Sequence, residues 1–124
     1  MHEVLETDYA IFWIEDSILF CSYKAIVVKG YDMAKRIVAD RLSFQNERPY
    51  PILCDVRRIV DSDKIARDFL AREGSTFAKA ISFLVQPLKS QAQAEFFIQN
   101  NKPLVPTGIF TNQTKAIAFL MPYK

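Results

Sequence analysis

Three glycines, two cysteines and one histidine are all that the 124 residues contain of these types, and each scarcity closes off a kind of chemistry. Gly30, Gly74 and Gly108 are isolated from one another. Neither GxGxxG nor GxxxxGK[ST] can therefore be written, which excludes the glycine-rich loops that hold phosphates on backbone amides. Cys21 and Cys54 stand 33 positions apart with no CxxC pair, and His2 is the single histidine. Zinc ligation at ordinary spacing is excluded on these counts, and no metal or other cofactor is expected. Both cysteines lie in apolar runs, where reduced thiols behave as small hydrophobes, as in a reducing cytoplasm. No GxSxG surrounds any serine and His2 lies in the terminal residues, so nucleophilic triads have no footing. Excess charge is also absent. Sixteen basic residues face fourteen acidic ones, a formal charge of +2 with no long basic run, and a nucleic-acid partner is not expected. No apolar run approaches the roughly 18 residues of a membrane span. The acidic start, Met1 to Asp8, lacks the basic and apolar regions of a signal peptide. A soluble cytoplasmic protein is expected.

What the chain does have is apolar bulk: half its residues are hydrophobic, with ten Phe, five Tyr and one Trp, enough to build a core and to exclude disorder. Residues 1–124 are expected to form one domain, with residues 1–8 frayed. Tyr9 to Ile14 and Ile18 to Tyr23 are apolar, aromatic-rich runs separated by Glu15, Asp16 and Ser17, the pattern of an antiparallel hairpin. After an extended Ala25 to Val28, Met33, Ile37, Val38 and Leu42 recur at helical spacing. Pro49 and Pro51 then introduce a strand over 52–56. Asp61 or Ser62 is placed to cap a second helix with core residues Ile65, Ala66, Phe69 and Leu70, stopped at Gly74. A strand over 80–85 ends at Pro87. A third helix over 88–100 carries Leu88, Ala92 and Phe96 on one face. A last strand over 107–110 precedes a short helix capped by Thr111 or Asn112, with Ile117, Leu120 and Met121 inward.

Strands that alternate with helices join through right-handed crossovers into a parallel sheet. The expected architecture is thus an α/β sandwich: a mixed sheet with an antiparallel N-terminal hairpin, parallel later strands and four helices.

The stretch with most chemical content is ILCDVRRIVDSDKIARDFL, residues 52–70, where a buried strand ends in Asp55 and a charged loop leads to a helix start. Ligands of open α/β sheets collect at carboxyl ends of strands, and helix N-termini favour anions. Phosphorylation of Ser62 would add about −1.5 to −2 charge there, with Arg57 and Arg58 as nearby partners; simple capping by Ser62 beside a solvated arginine pair accounts for the same residues. The carboxylate pairs Glu15–Asp16 and Asp61–Asp63 sit where turns and helix starts favour acids anyway. Asp55 is the best candidate acid or base, without an identifiable partner. On the third helix Phe97 and Ile98 fall off the apolar stripe, and either a second subunit or neighbouring loops would cover them.

The leading strands, helix, Asp-bearing strand and DS-started helix resemble the SpoIIAA-like STAS fold of anti-sigma factor antagonists. The segments PILCDVRRI, IARDFLA and FFIQNNKPLVPTGIFTNQTKAIAFL are similar to small bacterial proteins of STAS-like or CRAL-TRIO-like type. In the antagonists a serine in a DSSG-like loop is phosphorylated to release a partner kinase, and Asp61 and Ser62 occupy the matching positions. Asp63 and Lys64 stand where a second serine and a glycine would lie. The resemblance implies a non-enzymatic interaction module that switches a protein partner through Asp61 and Ser62, with Ser62 as phosphorylation site; Asp55, Arg57 and Arg58, close by in sequence, complete the expected partner surface, and the off-stripe Phe97 and Ile98 are the candidate homodimer surface. The alternative is a carrier of a small apolar or lipid-like ligand in an aromatic-lined pocket.

Overall fold

In the computed structural model, which describes residues 3–124, the turn at Asp16 and Ser17 fixes the first long pairing. Both residues have positive φ, 51° and 63°, and a two-residue loop with that geometry matches the twist of the strands it joins. It connects β2 (Ala10–Glu15) to β3 (Ile18–Tyr23), paired from Ala10↔Tyr23 to Glu15↔Ile18. Fraying over residues 1–8 is not what the described part of that segment shows. Val4–Glu6 forms β1, antiparallel to β2, with Leu5 packed against the core and Lys24 Nζ 2.7 Å from both Glu6 and the Thr7 carbonyl. His2 lies outside the described residues.

The remaining elements are β4 (Val27–Val28), α1 (Gly30–Gln45), β5 (Tyr50–Asp55), β6 (Asp61–Ser62), α2 (Lys64–Glu73), β7 (Ala78–Leu84), α3 (Lys89–Asn101), β8 (Thr107–Phe110) and α4 (Gln113–Leu120). A 3₁₀ turn closes the chain at Met121–Tyr123. The main sheet has the order β1-β2-β3-β5-β7-β8, antiparallel up to β3 and parallel beyond, and β4 and β6 form a two-residue parallel ladder beside it. The mixed sheet with four helices agrees with the expectation from sequence. No helix among the described residues is long and apolar enough to cross a membrane.

Side chains alternate across the strands and divide the core in two. Phe12, Leu19, Cys21, Ile52 and Ile81 pack with Ala34 and Ile37 of α1 and Ala66 of α2. Ile18, Phe20, Leu53, Ala80 and Leu84 pack on the other face with Ala116 and Leu120 of α4. The three crossover helices therefore share one face and α4 covers part of the other. α1 begins at Gly30, whose φ of +83° suits glycine, and ends at Asn46 in a left-handed C-cap.

Three expectations at helix level need correction. The cap of α2 is neither Asp61 nor Ser62, which are drawn into the ladder with β4. Asp63 caps the helix by accepting from Ala66 N at 2.9 Å, and its carboxylate also accepts from Gly30 N at 3.0 Å. Ile65 of α2 is 60% exposed and Met121 is likewise outward. On α3 the stripe is reversed: Leu88 is 86% exposed and Ala92 and Phe96 face outward, while Ser90, Ala94 and Phe97 face the sheet. Ser90 causes this. Its hydroxyl accepts from Gln86 N at 2.6 Å and donates to Gln86 O at 3.1 Å, tying the helix start to the end of β7 by a polar contact that apolar counting does not register.

Candidate functional site

Because α3 presents the small residues Ser90 and Ala94 to the sheet before Phe97, the helix layer does not close fully onto the strands beneath it. A cavity of about 130 Å³ remains. Its floor is Phe12, Cys21, Ile52, Cys54, Ile81 and Phe83, and its roof includes Val38 of α1, Leu70 of α2 and Phe97 of α3. Tyr23, Cys54 and Phe83 lie near the carboxyl ends of β3, β5 and β7, and Val56, Ile59 and Ser62 line it from the segment following β5. This is the end of a parallel sheet at which α/β proteins bind ligands. Phe97 meets Phe83 edge to face at 5.6 Å. The outward placement that motivated a homodimer surface at Phe97 is thus not found; Ile98 is half-buried.

Two arginines enter this apolar space. Arg41 of α1 is 6% exposed. It donates to the Gln45 side-chain oxygen, to Gly74 O at 3.0 Å and to Thr76 O at 3.1 Å. Burial lowers its pKa from the usual guanidinium value, yet a guanidinium stays protonated in any ordinary medium. At Gly74 itself a Cβ would stand 2.2 Å from Leu70 O. Burial pushes the Cys21 thiol and the Tyr23 phenol well above their usual values, so both are neutral. Cys21 and Cys54 are register partners on adjacent strands and both are free thiols.

Arg67 of α2 donates from Nη1 to Ser62 O at 2.5 Å and to Ser62 Oγ at 3.2 Å, and its guanidinium lies 5.3 Å from the centre of the Phe96 ring. Its Nε is buried without a hydrogen-bond partner. Asn101 Oδ1 shares that condition but does not line the cavity. Neither arginine has a carboxylate within ion-pair distance among the described residues.

The residues singled out from sequence fall into two groups. Asp55 and Arg57 close on each other bidentately, Nε–Oδ1 at 2.9 Å and Nη2–Oδ2 at 2.7 Å, so Arg57 is already committed. Arg58 and Asp61 are exposed, and Asp61 accepts from Ser62 N at 2.8 Å. Ser62 is half-buried at the rim of the cavity against Arg67. Sequence reasoning passed over Arg41 and Arg67. The available signal for Arg41 was its spacing of four from Ile37, which puts a cation on the apolar face of α1.

A mixed sheet with three helices on one face, one on the other and a pocket at its carboxyl end makes this an α/β sandwich domain. Over residues 12–124 the chain matches the domain family of unknown function DUF7793, and it belongs to that family. Its structure is similar to an uncharacterised DUF3478-family protein with a SpoIIAA-like fold from Shewanella loihica PV-4. The TM-score is 0.58 at 10% identity, over 97% of this chain and 92% of that one. No curated protein matches the chain.

Proposed function

We propose that this protein is a non-enzymatic STAS-like domain that carries a small ligand with an apolar body in the cavity between its helix layer and its sheet. The cavity itself is the observation that carries the reading. A water molecule needs only about 10–15 Å³ on a comparable measure, and an apolar engineered cavity of about 150 Å³ admits benzene. The space of about 130 Å³ therefore suits a ring or a short alkyl chain. Native cores leave few voids larger than a water molecule, so an opening of this size at the functional end of the sheet calls for an occupant. Native mass spectrometry of gently purified protein tests the reading: a co-purifying small-molecule mass is expected, and it is lost in Ala94→Leu, which fills the wall. Repeated recovery of bare protein, with methyl signals of Val38, Ile52 and Ile81 unmoved by added benzene, would sink it.

A second reading, docking of a protein partner around the start of α2, is favoured by a different observation. Val27, Val60 and Ile65 are exposed there, and Val27 is the ladder partner of Asp61. A phosphate on Ser62 would meet Arg67 rather than Arg57. Under this reading Ser62→Asp changes the yield of a partner captured by the wild-type protein; identical capture by both counts against it.

A further inference from the structure

We infer that the ligand of this cavity is an anion, a small monocarboxylate whose apolar body fills the chamber and whose head is held by Arg67. This rests on the carrier reading above and adds the charge of the ligand to it.

The cavity wall contains two guanidinium groups, and the five ion pairs among the described residues involve neither. Arg41 is satisfied by Gln45, Gly74 and Thr76, which makes it a fixed positive charge rather than a free hand. Arg67 is different. Ser62 occupies its Nη1, while Nε is buried without an acceptor and Nη2 makes no hydrogen bond among the described residues. Phe96 lies against the face of the guanidinium, and with Nε enclosed, Nη2 is the end of the group left for an acceptor. One charge-assisted N–H···O bond from Nη2 to a carboxylate is the contact it can make.

The acids nearest in sequence are already engaged. Asp63 accepts from the Gly30 and Ala66 amides, and Asp68 accepts from Lys64 and Asn101. A buried, charged donor without an acceptor is costly, and an apolar chamber supplies none. A molecule that brings its own anionic oxygens along with an apolar body satisfies both the donor and the walls. Ser62 Oγ, beside the same guanidinium, offers a further hydrogen bond to the head.

Hexanoate and its neutral isostere hexanamide, titrated into the full chain and followed by the methyl and amide NMR signals of cavity residues, test the assignment. Hexanoate is expected to bind about tenfold tighter or more, the scale of one charge-assisted hydrogen bond. Arg67→Gln should abolish that preference, and Arg67→Lys should retain part of it. Equal affinities in the wild-type protein, or a preference that survives Arg67→Gln, overturn the inference and leave the carrier reading standing. If neither compound shifts the lining residues, both fall. The wild-type comparison decides the matter even where a variant fails to fold.

Discussion

The two faces of the same sheet differ in kind. On the α4 side, Ile18, Phe20, Leu53, Leu84 and Leu120 interdigitate and Trp13 stacks on Phe20 at 5.2 Å. The one fully buried polar side chain there, Ser82, donates to Ala116 O at 2.7 Å. A cavity of only about 40 Å³ opens on that side. On the opposite side lie the 130 Å³ chamber, two arginines without carboxylates and a pair of free thiols. Strand alternation sends neighbouring residues such as Phe20 and Cys21 to opposite faces, so one ribbon of chain supplies both a tight packing surface and a loosely filled, charged one. Where packing is complete the protein gains stability; where it is incomplete, a ligand has somewhere to go.

Substitutions of matched size separate the two faces most sharply. Arg41→Leu should carry the largest penalty, about 3 kcal/mol in urea unfolding, because Gly74 O, Thr76 O and the Gln45 oxygen lose their donor inside the protein. Next comes a pair of additions. Ala116→Leu forces bulk into the filled α4 face and should cost about 1–3 kcal/mol, whereas Ala94→Leu grows into the chamber and should leave the unfolding midpoint unchanged or raised. Equal losses for the two would erase the distinction between the faces. Ser82→Ala follows, at about 1 kcal/mol for a buried hydrogen bond, checked by the same denaturation.

The smallest effect is one of pH. The amides of Ala66 and Gly30, in that order, hold the Asp63 carboxyl below its ordinary value of 3.8. The folded state then binds fewer protons than the unfolded one in the acid range. The resulting stability is present in full above 3.8 and is lost as pH falls below it. Asp63→Asn keeps an N-cap acceptor and removes the titration, so its acid limb should be flatter than wild type in urea midpoints measured from neutral to acid pH. Parallel limbs would refute this role.

Much of the fold was legible because the hairpin, the apolar strands and the Asn112 cap obey local rules. The alternation of Ile18 to Tyr23, the two polar residues able to adopt positive φ at the turn, and the helix stop at Gly74 are properties of a few neighbouring residues. β1 was missed because Val4–Glu6 is only three residues long and is held by tertiary contacts, the Lys24 bridge among them. The orientation of α3 was missed because small residues, Ser90 and Ala94, seat it on the sheet while Leu88 and Phe96 face out; counting large apolar side chains points the wrong way. The candidate site was legible in position but not in membership. Ser62 was singled out from the segment after β5, whereas Arg41 and Arg67 acquire their meaning only from what the fold withholds from them, an acidic partner.

The strand order runs monotonically from β1 to β8, and this has a consequence for how the molecule is made. Each new strand of the main sheet adds to the growing edge of a sheet already present, so a nascent chain emerging from the ribosome can accrete that sheet in sequence without rearranging earlier strands. The exception is α4, which must cross to the far side. Until α4 has been synthesised, Phe20, Leu53 and Leu84 lack the helix that packs on them.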